Sequence, residues 1–129
     1  MCSSDLQATL ASVNHLAILL ADKGDWAGAE SSYRRALAGR AKQLGPEHPD
    51  TLSSLNNLAN LLAVKGDGAG AEPLYRRALA GRAKQLCAEH PDTLSSLNNL
   101  AILLKAKGDW AGAEPLYRQA LAGDRKSVV

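Results

Sequence analysis

Residues 51–92 read TLSSLNNLANLLAVKGDGAGAEPLYRRALAGRAKQLCAEHPD, and their spacing decides the fold. Leu52, Leu55, Leu58, Ala59 and Leu62 recur at three- and four-residue intervals, which makes one apolar stripe along a helix. Asp50 or Thr51, just after Pro49, is expected to supply the N-cap oxygen. Lys65-Gly66-Asp67 then stops the helix, with a glycine able to take positive φ and an aspartate ready to cap the next one. Ala71, Tyr75, Ala78, Leu79 and Leu86 form a second stripe, with Ala83 on the same side. They predict a second helix from about Ala69 to about Leu86. Pro73 falls near its first turns, where a missing N–H costs less than in mid-helix.

The stretch on either side repeats this unit without a gap. Residues 9–50 match residues 51–92 at 32 of 42 positions, and residues 93–129 match the first 37 of those at 27. A fixed period of this length marks a stacked-repeat architecture, in which no single hairpin buries its stripe alone and neighbours complete the core. The expected fold class is all-α: an α-solenoid of three stacked helix-turn-helix units. Such a molecule offers an extended surface, which favours binding over catalysis.

Composition narrows the function further. The 129 residues hold 15 Lys and Arg and 13 Asp and Glu, a formal charge of +2, and the charges are interspersed along the chain. That is a solvated surface, without the basic stripe a nucleic-acid binder needs. No run of about 18 apolar residues exists to span a membrane, and the N-terminus lacks the pattern of a secretory signal. Cys2 and Cys87 occupy non-equivalent repeat positions, so a structural disulfide is not expected, and a reducing, cytoplasmic setting is the natural reading.

The small-to-aromatic pattern Ala71, Tyr75, Ala78, repeated as Ala29, Tyr33, Ala36 and as Ala113, Tyr117, Ala120, resembles the second helix of a tetratricopeptide repeat. Leu58 on the first helix fits as well. The plain 34-residue form is not matched: Leu55, Ala59 and Leu62 stand where it often has Trp, Gly and Tyr, and Ala83 where it has Pro. The 42-residue period, Ser-Leu-Asn-Asn-Leu-Ala at 54–59 and 96–101, and the Glu-His-Pro-Asp-Thr link are similar to the kinesin-light-chain type. The resemblance covers about residues 7–123. It implies a right-handed superhelix whose first helices line a concave groove that holds extended peptides.

Both ends break the period. Residues 1–6 and 124–129 do not read like the repeat positions they should occupy, and both resemble translated sequencing-adapter DNA. The expected organisation is a non-native end at 1–6, repeats at 7–50, 51–92 and 93–123, the last with a truncated second helix, and a non-native end at 124–129. The chain is then an interior fragment of a longer array.

No constellation for chemistry stands out. His48 and His90 sit beside Glu and Pro in the links. A metal or acid–base role there competes with a simpler one, a loop in which Pro fixes the backbone, Asp caps the next helix and His bonds locally. Cys87, His90 and Asp92 have the residue types of a nucleophilic triad but are crowded into six residues. The Lys-Gly-Asp glycines follow no strand and precede no Gly-Lys-Ser/Thr, so they form no phosphate loop. No cofactor is expected, and no enzyme. Trp26 and Trp110 open the second helices and are expected to wedge against the first, with Gly68 leaving the middle hairpin underfilled.

The functional candidates are polar residues of the first helices: Asn14, Ser53, Asn56, Asn60, Ser95, Asn98 and Lys105. The apolar stripe turns these away from the hairpin interior. Asn offers a donor and an acceptor, which suits pairing with a peptide backbone without dictating its sequence. Asn57 and Asn99 serve either that groove or the stacking between repeats. The expected function is a protein-interaction scaffold for a peptide or partner domain. The alternative is a spacer or regulatory array attached to a signalling, nucleotide-switch or protease domain. The face of the last hairpin, with no capping helix after it, is expected to be sticky and to promote self-association.

Overall fold

The computed structural model describes residues 3–86 and 90–128, with the side chains of residues 10, 12–86 and 90–123. Six helices follow one another: α1 (Ser3–Asp22), α2 (Trp26–Leu44), α3 (Pro49–Val64), α4 (Gly68–Gln85), α5 (Pro91–Ala106) and α6 (Trp110–Val128). No strand occurs among the described residues. Each helix packs chiefly on its neighbours in the chain: α1 with α2, α3 with α4, α5 with α6, and then α2 with α3 and α4 with α5. That is the solenoid the repeat predicts.

The first stripe is the core. Leu52, Leu55, Leu58, Ala59 and Leu62 are all buried, as are Leu97, Leu100, Ala101 and Leu104 at the same register in α5. Ala71, Tyr75 and Ala78 of α4 are buried against them. Ala83 is exposed, contrary to the expectation, and Gly81 is the buried member of that last turn. The reason is a close approach: a Cβ at Gly81 would stand 2.7 Å from Leu52 Cδ2, and one at Gly39 2.6 Å from Leu10 Cδ2. The two glycines let the first helix of a hairpin lie directly on the second.

Each first helix ends in the same turn. Gly66 has φ 91°, its N–H donates to Ala63 O at 3.1 Å, and the Asp67 N–H reaches Leu62 O at 2.8 Å. This pair of bonds satisfies carbonyls the helix leaves open. Gly24 and Gly108 repeat it. Asp25, Asp67 and Asp109 then cap the second helices, each accepting the N–H three residues on at 2.9 to 3.0 Å.

The start of the first helices departs from the sequence reading. The caps are His48 and His90, whose Nδ1 atoms accept the N–H of Asp50 and Asp92 at 3.1 Å, with Pro49 and Pro91 as the first helical residues. Proline fixes a helical φ and needs no donor partner, so the helix begins there and pushes the cap back. Thr51 instead donates its hydroxyl to Gly45 O at 2.8 Å. Gly68 also differs from expectation, because Leu103 of α5 and Lys107 just after it come to 3.4–3.5 Å of where its Cβ would be. The next repeat fills the space. The last helix is not cut near Gly123: its backbone continues to Val128, since no glycine or proline follows to stop it. Cys2 and Cys87 lie outside the described residues.

Candidate interaction surface

Adjacent first helices are joined by side-chain amides. Asn57 Nδ2 donates to Asn14 Oδ1 at 3.4 Å, and Asn99 Nδ2 donates to Asn56 Oδ1 at 3.1 Å. Both bonds span 43 residues, one more than the period. Each therefore runs from a copy back to the preceding copy. Asn14 and Asn56, read from the sequence as groove residues, are half-buried and accept these stacking bonds. Their Nδ2 donors have no partner among the described residues.

Asn60 is exposed and accepts a hydrogen bond from the Tyr75 hydroxyl of its own hairpin. Burial pushes the Tyr75 phenol up to about 12. Tyr33 is raised too, by burial and by the charge of Asp22. Positions 18 and 102 carry Ile in place of Asn60, so neither Tyr33 nor Tyr117 has the same amide partner in its hairpin. The sequence reading missed this pairing. Its only signal is that one copy departs from its neighbours at a position facing a tyrosine common to all three.

Asn57 and Asn60 line a cavity of about 210 Å3 between the first two repeats, with Ala21, Asp22, Trp26, Tyr33, Leu61 and Val64. Trp26 therefore sits between the end of α1 and the next first helix, so it borders the following copy as well as α1. Ser53 lies elsewhere, half-buried in a cavity with Arg82, Gln85 and Asp92 at the base of the second junction. Ser95, Asn98, Ile102 and Lys105 are exposed on α5. The Lys105 ammonium stands 6.0 Å from the Trp110 ring centroid, within reach of a cation–π contact.

The candidates thus divide. Asn14, Ser53 and Asn56 are drawn into junctions, whereas Asn60, Ser95, Asn98 and Lys105 face solvent. Position 60 is the informative one, because it is open in the middle copy, which has a neighbour on both sides. Ile18 and Ile102, at the same register, are 44% and 56% exposed, and Val64 one turn beyond Asn60 is 68% exposed. An apolar–polar–apolar row runs across α1, α3 and α5.

Other polar contacts tie the junctions. Arg40 donates to Ser54 Oγ, and Arg82 to Ser96 Oγ, both at 2.9 Å. Lys65 pairs with Glu30, and Lys107 with Glu72, both at 2.6 Å. These hydrogen bonds from lysine, with further help from Arg34 and Arg76, hold both glutamates below the usual carboxylate range. No helix among the described residues is long and apolar enough to cross a membrane.

The comparisons agree with this architecture. A tetratricopeptide-repeat family model matches residues 7–84 and 53–126. No curated protein matches the chain. Among solved structures, the chain is similar to the nearly identical TPR-like repeats of a Podosopora anserina protein assigned as a kinesin light chain. Identity is 31% and the TM-score 0.84, over 94% of this chain and 57% of that one. A single-substitution form of the same protein gives a TM-score of 0.85 at the same identity and coverage. BtubC (BKLC) from P. vanneervenii is 25% identical with a TM-score of 0.84, over 91% of this chain and 46% of that one. The chain spans about half the length of these structures. With six stacked helices, a 42-residue period and a family model matching nearly its whole length, the chain belongs to the tetratricopeptide repeat family.

Proposed function

We propose that the chain is a protein-interaction scaffold that holds an extended peptide along α1, α3 and α5. The observation that carries this is the row Ile18, Asn60, Ile102, which stays open to solvent even where repeats stack on both sides. Asn60 gives its oxygen to Tyr75 and keeps its Nδ2 donors for a peptide carbonyl. Asn14 and Asn56 keep theirs as well. Ile18, Ile102 and Val64 supply apolar seats that select side chains. Lys105, on the same helix as the exposed Ser95 and Asn98, adds a preference for acidic residues at one end. Residues 7–123 are the repeats on this reading, and the two ends are non-native additions to an interior fragment.

The test is selection of a random-peptide display library on the chain, followed by affinities for Ile18→Asp, Asn60→Ala and Ile102→Asp. Each is expected to weaken a selected peptide about tenfold or more with helicity unchanged, as for residues at the centre of an interface. Peptides that bind all three variants as well as the parent would refute the groove.

A second reading is favoured by a separate observation. The two junctions are built from the same bonds, amide to amide, lysine to glutamate and arginine to serine. Such regularity suits a spacer of fixed pitch between attached domains.

A further inference from the structure

The two junctions share their bonds but do not line the same space. The cavity of about 210 Å3 at the first junction lies between α1 and α2 on one side and α3 on the other. It is smaller than the roughly 300–1,000 Å3 of a small-molecule site, and suits one side chain of a longer ligand. Its chemistry comes from Asp22 and Trp26 with Tyr33, Asn57 and Asn60. At the second junction Tyr75 and Asn99 repeat the tyrosine and one amide, but Val64, Gly68 and Ile102 stand for Asp22, Trp26 and Asn60. There Leu103 and Lys107 close to 3.4–3.5 Å on the Cβ position of Gly68. An acid, an indole and a second amide are thus gathered at the first inner junction alone of the two.

The lining is rich in acceptors. No Lys or Arg borders it, and Lys23, next in the chain to Asp22, is not among its residues. Among the described residues the Asp22 carboxylate has neither an ion pair nor a hydrogen bond, and the Tyr33 hydroxyl has no hydrogen-bond partner. Asn57 donates to Asn14 and leaves its own oxygen unused. Lys65, beside Val64, is taken up by Glu30 at 2.6 Å.

The backbone adds to this. α1 and α3 both end at the cavity, at Asp22 and Val64, and neither has a basic residue in its last turn. The negative poles of two helices therefore meet there. A carboxylate in a last turn opposes that field, so Asp22 is unfavourable for α1 itself. The positive pole of α2 is already met by Asp25, which accepts the Gly28 N–H. The mouth is open: Asp22 and Asn60 are exposed and Trp26 is 38% exposed, whereas Tyr33 is buried.

We propose that this junction seats a lysine or arginine side chain of the bound peptide. The inference rests on the groove proposed for α1, α3 and α5. Asn60 Nδ2 holds the peptide carbonyl, and the Asp22 carboxylate pairs with the ammonium or guanidinium that enters beside it. Trp26 and Tyr33 give aromatic surface to the stem and the charge. The cation offsets both the carboxylate and the two helix ends. Val64 and Ile102 make no such demand at the second junction.

Selection of a random-peptide display library on the whole chain and on Asp22→Lys tests this. Peptides selected on the parent should carry Lys or Arg at one fixed position, and those selected on Asp22→Lys should carry Asp or Glu there. In a synthetic copy of a selected peptide, norleucine at that position should weaken binding to the parent about tenfold or more, but binding to Asp22→Asn less than about twofold. The loss on the parent should shrink in high salt. Circular dichroism of both variants should match the parent, since Asp22 is exposed and its carboxylate holds nothing in the fold. Selected peptides with no basic position, or a norleucine loss equal on the parent and on Asp22→Asn, overturn this seat. If Ile102→Asp still weakens those peptides, the groove itself stands. A library that yields no binder, or peptides indifferent to Ile18→Asp, Asn60→Ala and Ile102→Asp alike, overturns the groove and the seat with it.

Discussion

Single glycines give opposite predictions in this chain. At Gly81 an added Cβ meets Leu52, itself 2% exposed, at 2.7 Å, so Gly81→Ala forces the leucine off its rotamer. At Gly68 the same atom finds only ordinary contacts at 3.4–3.6 Å. We expect thermal melting to show Gly68→Ala raising stability by about 0.5 kcal/mol and Gly81→Ala lowering it by about 1 kcal/mol, although alanine favours both helices. Tyr75 gives a third residue-level outcome. Burial pushes its phenol up to about 12 from the ordinary value of 10.0, so the neutral form is favoured in the folded state. The stability it contributes is complete below pH 10 and is lost as pH rises towards 12. Tyr75→Phe should flatten the alkaline limb of stability against pH.

Among elements, the junction between α4 and α5 rests on Arg82, which reaches the 1%-exposed Ser96. Arg82→Ala leaves that hydroxyl without its donor, and we expect a loss of about 1–2 kcal/mol in denaturant melts. The Glu30 and Glu72 pairs cross both junctions. Their carboxyls are depressed below 4.5, so their stabilisation is present above that pH and fades as pH falls through the lowered values. Stability should drop below about pH 4.5, less steeply in Glu30→Gln with Glu72→Gln, and high salt should shrink the difference. The helices themselves are legible from Leu spacing and the Lys-Gly-Asp stops, because apolar periodicity and turn chemistry are local. The histidine caps are not, since proline shifts the cap through sterics that composition does not display. The junction role of Asn14 and Asn56 is hidden for another reason. A bond between positions 43 apart depends on how copies rotate against one another, and one repeat carries no record of that.

For the molecule as a whole, stability is a sum over hairpins and the junctions between them. The middle hairpin has two junctions and each outer one has a single junction. Native-state hydrogen exchange at concentrations below self-association should therefore protect α3 and α4 most. Amides of residues 113–123 should exchange faster than their counterparts at 71–81, and uniform protection would contradict this view. Because every helix leans chiefly on its sequence neighbours, the chain also has a mechanical character. A pull on its two ends loads the junctions in series, and the outer hairpins, each held by a single junction, give first. Extension then proceeds hairpin by hairpin at similar force, and slackening lets each hairpin re-dock on the one still folded, so the array behaves as a reversible spring.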